Sequence, residues 1–238
     1  KRVSIVGSGN FACAIARIVG ANCKRNPMLV DEVRMWVFEE TVNGRKLTEI
    51  INEDHENVKY MPGVKLPRNL IADPDLASAA RDADVLIFCL PHQFLDGVCE
   101  KVRNQHAPGC IAISLIKAVE FDADGILLVS DMIRSRMGGM DVSVLMGANL
   151  ANEIGSGQFC ETTIGCRVPA HGRLLKDIFN DPLFQVSVVD DVAGVEVCGA
   201  LKNIVALGAG FLDGMGLGDN SKAAIIRQGL LEMKRFVQ

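Results

Sequence analysis

The feature that most constrains this chain is the stretch Val3-Ser4-Ile5-Val6-Gly7-Ser8-Gly9-Asn10-Phe11-Ala12-Cys13-Ala14-Ile15-Ala16. A short β-branched run meets two glycines one residue apart, and an alanine-rich segment of helical character follows. Strand, tight turn and helix with G-x-G-x-x-A at the turn form the arrangement of a dinucleotide-binding unit. Gly7 permits the turn, Gly9 lets the backbone approach a pyrophosphate, and the small Ala12 lets helix close on strand. The first N–H groups of such a helix have no partner within it and, helped by the helix dipole, face an anion. A plain βα turn asks for the same two glycines, so the neighbouring segments must decide.

The acid usually found about 20 residues further on is displaced here. The next apolar strand, Val33-Arg34-Met35-Trp36-Val37-Phe38, ends in Glu39-Glu40, and the intervening segment carries Asn26-Pro27. Either carboxylate is placed to accept from a ribose hydroxyl and to repel a 2′-phosphate, which favours NAD over NADP. Phe38 is placed to stack on adenine or to enter the core.

Downstream, strand and helix patterns alternate. Thr48–Asn52 reads as a short helix, Leu70–Ala72 as a strand and Leu76–Arg81 as a helix. Ala83–Leu90 and Cys110–Ile116 are apolar on both faces, as in the middle of a parallel sheet covered on two sides. A helix is expected over about 125–137, and Val142–Met146 is a further strand ending in Gly147-Ala148-Asn149. Strands at 161–166 and 185–189 flank a helix at 170–180 and extend the sheet. The expected fold is α/β, a doubly wound, mostly parallel, Rossmann-like sheet over residues 1–190. From 191 to 238 the chain becomes helical and opens an all-helical second domain.

Composition narrows the partners. With 25 basic against 29 acidic residues, the net charge of −4 points away from nucleic acid and anionic membranes. The longest uninterrupted apolar runs, near Val85–Pro91 and Ile204–Leu212, fall short of the ~20 residues of a spanning helix. Lys1-Arg2 leads straight into a strand without a signal peptide, so a cytoplasmic location is expected. The eight cysteines lie mostly within apolar runs and include no C-x-x-C, which favours reduced, buried thiols. His55, His92, His106 and His171 are isolated, so no zinc site is expected. The ending Glu232-Met233-Lys234-Arg235-Phe236-Val237-Gln238 reads as mid-helix, suggesting part of a longer polypeptide.

Three polar groups interrupt apolar surroundings. Lys117 follows a buried strand at the edge where open α/β sheets place their ligands, although a lysine entering solvent there explains it equally well. Asn149 is similarly ambiguous, since Asn suits a turn. Lys202-Asn203 is the sharper signal, because it breaks a helix whose Gly199, Ala200, Leu201, Ile204, Val205 and Ala206 read as buried. A lysine there either extends its stem to solvent or sits in a cavity with a lowered pKa. In the second case its ammonium can give a proton to a carbonyl oxygen as hydride arrives. His92 has no sequence neighbour to orient it and reads as a loop residue. The glycines of 208–210 and 214–218 point to close packing or a bend.

Taken together, the blocks GSGNFACAIARIVG (7–20), MWVFEE (35–40), LTEIINEDHENVKYMPG (47–63), PHQF (91–94), ISLIKAVE (113–120), SVLMGANLANE (143–153), FCETTIGC (159–166) and CGALKNIVALGAGFLDGMGLGDNSKAAIIR (198–227) are distinctive. A chain carrying them resembles the NAD-dependent, cytosolic-type glycerol-3-phosphate dehydrogenases of eukaryotes. The resemblance implies interconversion of dihydroxyacetone phosphate plus NADH with sn-glycerol 3-phosphate plus NAD, linking sugar breakdown to glycerolipid synthesis. It implies that Gly7, Ser8, Gly9, Asn10, Phe11 and Ala12 hold the nucleotide, with Phe38, Phe94 and the backbone of Ala151 nearby. Lys202 would be the proton donor and acceptor, Lys117 would contact substrate, and Asn149 and Asn203 would line the same site. A homodimer is implied for the full-length form. Phe11-Ala12-Cys13 replaces the family's usual Trp-Gly-Ser. The family's Gly-Gly-Arg-Asn motif, whose arginine clamps the substrate phosphate, does not occur in this sequence, so slow turnover is expected of the 238 residues alone. Two alternatives share the Rossmann half: a two-domain reductase of the 6-phosphogluconate or ketopantoate type, and a non-catalytic NAD-binding regulator.

Overall fold

A computed structural model describes residues 1–123 and 125–237. β1 (Val3–Val6) runs into the glycine turn and α1 (Asn10–Arg25), followed by β2 (Val33–Trp36) and a small hairpin of β3 (Thr41–Val42) and β4 (Arg45–Lys46). Then come α2 (Leu47–Asp54), β5 (Leu70–Asp73), α3 (Leu76–Ala80), β6 (Val85–Phe88), α4 (Leu95–Val102) and β7 (Ile111–Ser114). A second hairpin, β8 (Val119–Asp122) and β9 (Gly125–Leu128), precedes α5 (Val129–Arg136), β10 (Val142–Met146), α6 (Ala151–Gly155) and β11 (Cys160–Gly165). The chain closes with α7 (Pro169–Phe179), β12 (Phe184–Val189), α8 (Val192–Gly214) and α9 (Asp219–Val237).

The main sheet has eight strands in the order β12-β11-β10-β7-β6-β1-β2-β5. All neighbours are parallel except β10 and β11, which run antiparallel. β1 is central, with Val3 opposite Val33 on one side and Val85 on the other. The chain builds β2 and β5 outward on one side and then returns to lay β6 and β7 on the other. That reversal opens a crevice at the carboxyl ends of β1 and β6, where ligands of such sheets bind.

Side chains alternate about the sheet. Val3, Ile5, Met35 and Ile87 face a core shared with α1 and α7, while Val6, Leu86, Phe88 and Ala112 face one shared with α4 and α5. Phe88 and Phe179 are fully buried, each contributing roughly 1.5–3 kcal/mol of apolar burial. Such two-sided burial explains why these strands read as continuous apolar runs. All eight cysteines are free thiols.

Two expectations are corrected. The helix expected over about 125–137 is a strand to Leu128 and a helix only from Val129. Val119-Glu120-Phe121 and Ile126-Leu127-Leu128 pair across the hairpin, and α5 begins where Val129 and Ser130 become buried. The apolar faces of α8 are covered only at its start. Val192, Gly194, Glu196 and Gly199 are buried, whereas Ile204, Leu207 and Phe211 are 66%, 62% and 67% exposed. The first turns lie on β10 and β11, and among the described residues the rest of the helix packs chiefly against α9. There the glycines allow close approach, since a Cβ on Gly229 would collide with Val205. By length and composition α8 is apolar enough to cross a membrane. It nonetheless carries Glu196 and Lys202, and the glutamate is tied into the domain beneath.

Candidate active site

The turn after β1 is shaped by collision as much as by conformation. Gly7 has φ +122°, and a Cβ there would run into the carbonyl of Cys89 at the end of β6. Gly9 differs: its φ is −67°, and a Cβ would meet only open space. Gly9 is also the N-cap of α1, which no side chain caps. Free helix N–H groups therefore open onto a cleft of about 440 Å³ lined by Gly9, Asn10, Phe11, Ala12, Lys117 and Asn149, among others. Ala12 is fully buried, as close packing of helix and strand requires.

Three elements complete the cleft. Lys117, just past β7, stretches its ammonium over the Phe11 ring, 4.7 Å from the centroid, and donates to the carbonyl of Asn149 at 3.4 Å. Burial lowers the Lys117 pKa, and the charge of Lys202 lowers it further. Asn149 is 6% exposed and donates through Nδ2 to the carbonyl of Glu161 at 2.9 Å. That bond fixes the amide's orientation and leaves Oδ1 buried without a donor. Asn10 Oδ1, at the start of α1, is buried and unpaired as well, while its Nδ2 donates to Asn152 of α6. Unpaired acceptors beside free N–H groups fit a ligand that brings both an anion and donors, as a nicotinamide dinucleotide does.

Not every expected residue lies in this cleft. Ala151 lines it, but Phe38 and Phe94 do not, and both are largely exposed. Lys202 is half-buried on α8 and donates to the side chain of its exposed neighbour Asn203 at 3.0 Å. It borders a larger, mostly apolar cavity of about 630 Å³ between α8, α9 and the end of β10, which reaches Gly147 and Ala148. The smaller cleft carries the uncapped N-terminus of α1, and the loop 147–149 borders both spaces.

Glu39 and Glu40 are both engaged locally. Glu39 accepts from the N–H and hydroxyl of Thr48, and Glu40 pairs with Lys59 and accepts from the Tyr60 hydroxyl. His92 does have a partner, since its Nε2 stands 2.8 Å from Glu120 of β8. Sequence distance concealed this pair. Among the described residues no cluster of His, Cys, Asp or Glu is arranged to hold a metal.

Comparison with known proteins agrees with this geometry. Residues 2–171 match the family model described as NAD-dependent glycerol-3-phosphate dehydrogenase N-terminus, and 191–238 match the corresponding C-terminus. The chain is 54% identical over 237 residues to the mouse glycerol-3-phosphate dehydrogenase 1-like protein, covering all of itself and 67% of that relative. It is 54% identical over 238 residues to human cytoplasmic glycerol-3-phosphate dehydrogenase [NAD(+)], covering 68% of it. Among solved structures, glycerol-3-phosphate dehydrogenase from Saccharomyces cerevisiae superposes with a TM-score of 0.91 at 45% identity, over 99% of this chain and 69% of that one. With family models matching residues 2–171 and 191–238 and relatives more than half identical along its whole length, the chain belongs to the NAD-dependent glycerol-3-phosphate dehydrogenases of cytoplasmic type.

Proposed function

We propose that the cleft at the glycine turn holds NAD(H) and that the two lysines divide the work on the three-carbon phosphate. Residues 1–190 form the dinucleotide half and 191–238 begin the substrate half. Free N–H groups from Gly9 to Ala12 take the pyrophosphate. Ala151 offers backbone nearby, and Phe38 and Phe94 close on the base and the ring from outside the cleft. NADH supplies the hydride when bound.

The observation that carries this reading is that both lysines flank the loop 147–149. Lys117 donates to the carbonyl of Asn149, and Lys202 borders the cavity that reaches Gly147 and Ala148 at the carboxyl edge of the sheet. A carbonyl becoming an alkoxide between them gains from both charges. Lys202 donates the proton and takes it back in reverse, with Asn203 holding its Nζ. Lys117 steadies the substrate oxygen, and the free Oδ1 of Asn149 accepts from a hydroxyl or carboxamide. The exposed apolar faces of α8 and α9 favour self-association of these 238 residues, and a homodimer is proposed for the full-length form.

Replacing Lys202 by Met is expected to lower kcat by about 10²–10⁴ with NADH affinity nearly unchanged, the range of a lost general acid. An unaltered kcat would remove Lys202 from the chemistry. The depressed pKa of Lys117 favours a second reading, in which Lys117 is the acid. Under it, Lys117→Met loses kcat and Lys202→Met mainly raises the substrate KM.

A further inference from the structure

A buried amide behind the glycine turn has no part in the roles described so far. Asn57 is fully buried, 49 residues from the turn in sequence. Its Nδ2 donates to the carbonyl of Ser8 at 2.9 Å and lies 3.3 Å from the Cys13 sulfur. Its Oδ1 accepts from the N–H of Tyr60 at 3.1 Å. The Cys13 thiol points at the same Ser8 carbonyl, 3.5 Å away, and burial pushes its pKa up to about 11, so it remains a neutral donor.

Peptide planarity gives these bonds a consequence. In a trans peptide the C=O of one residue and the N–H of the next point in opposite directions. Holding the Ser8 carbonyl inward against Asn57 therefore turns the Gly9 N–H the opposite way, away from Asn57, at a residue that lines the cleft. The loop carrying Asn57 is itself braced, with Glu56 accepting from Gly63 N–H and pairing with Lys65. From the same loop Lys59 and Tyr60 reach Glu40 beyond the end of β2.

We infer that Asn57 is a positioning residue for the dinucleotide: it aims the Gly9 N–H at the pyrophosphate and joins the phosphate turn to the segment beyond β2. The inference rests on the reading that the glycine turn holds the pyrophosphate. It acts through the backbone of Ser8 and Gly9 and touches no reacting atom, so its loss belongs in cofactor affinity. A buried donor that fixes the peptide whose N–H meets a charged ligand contributes through preorganisation, which binding otherwise has to supply.

The test compares Asn57→Asp, Asn57→Ser and Gly9→Val with the unmodified chain. Asn57→Asp is isosteric, keeps the acceptor for Tyr60 and lacks the donor to Ser8. Asn57→Ser is uncharged and guards against unfolding by a buried carboxylate. Dissociation constants for NADH and ADP-ribose are measured by fluorescence and calorimetric titration, with melting temperature alongside. For the folded Asn57 variants, both constants are expected to rise about tenfold or more. In a form active enough to assay, kcat and the substrate KM at saturating NADH should stay within twofold. A lower melting temperature with unchanged dissociation constants would overturn the inference and leave Asn57 a core amide only. So would a loss confined to kcat. Gly9→Val separates the two readings. If it binds both ligands like the unmodified chain, the glycine-turn site itself is wrong. If it abolishes binding while the Asn57 variants bind normally, only the role of Asn57 fails.

Discussion

Lys117 and Phe11 form a cation–π pair, with Nζ 4.7 Å from the ring centroid, so the cation past β7 rests on the first turn of α1. The ring does two things at once. It covers the lysine's stem from water, and its electron-rich face favours the charged form against the burial that disfavours it. The glycine turn and the Lys117 cation are thereby held in one arrangement.

Phe11→Leu keeps the bulk and removes that face. A partly desolvated cation–π contact is worth roughly 0.5–2 kcal/mol, so the KM for dihydroxyacetone phosphate should rise about two- to thirtyfold at saturating NADH. Phe11→Trp, the residue usual in the family, should hold the ammonium at least as well. Identical KM values for the Leu variant would show that Lys117 is placed by Asn149 and its own backbone alone.

The charge of Lys202 is one cause of the lowered Lys117 pKa. Lys202→Met removes it, so the pKa of Lys117 should move upward, still short of an exposed lysine because burial remains the larger cause. The sign follows from linkage. A lysine whose pKa is depressed on folding destabilises the fold while protonated, and this is relieved as pH rises through the folded pKa. A titration of isotopically labelled Lys117 in both proteins reads the shift, and an unmoved midpoint would place the two ammonium groups too far apart to share a substrate.

Glu196 is the buried acid of α8. It accepts from Ser130 N–H at 3.0 Å and from its hydroxyl at 2.5 Å, holding the first turns of the helix on the start of α5. Burial raises its pKa, Asp131 adds to the rise, and the Ser130 bonds oppose it. The folded state therefore binds the proton more tightly than the unfolded chain. Its stabilising contribution is complete below the unfolded pKa of about 4.3 and is lost as pH rises through the folded value. Glu196→Gln keeps the bond from Ser130 N–H, lets its amide nitrogen donate to the Ser130 hydroxyl in place of the second, and cannot ionise, so its stability relative to the parent should improve between pH 4 and pH 8. Chemical denaturation at the two pH values decides, and a constant offset would count against this account.

Cofactor choice should rest on Glu39 more than on Glu40. Lys59 pairs with Glu40, while Glu39 near the end of β2 accepts from the uncharged Thr48. NADH is expected to bind at least tenfold tighter than NADPH, about 1.4 kcal/mol. Glu39→Gln should narrow that gap and Glu40→Gln should not. Titration with both nucleotides checks it, and a gap unchanged in Glu39→Gln would assign the discrimination elsewhere.

Local chemistry in the sequence determined the sheet, the turn and the candidates. Two-sided apolar runs of strand length, bounded by turn residues, fit buried strands, and Gly7 and Gly9 between strand and helix admit few conformations, so these features appear in the fold with only the strand ends trimmed. Lys117 and Asn149 were visible because each ends a buried strand, where the strand's direction alone sets the edge they reach. What lies across the fold was not visible. Asn57 beneath Ser8, Glu120 beside His92, Glu196 under Ser130 and the partners of Glu39 and Glu40 all join residues far apart or in irregular loops. The strand Gly125–Leu128 reads as the start of a helix because a short apolar run fits either period until its pairing is known. The exposed half of α8 read as core for a related reason. Hydropathy records what a helix face can bury, and only the tertiary arrangement decides what stands against it.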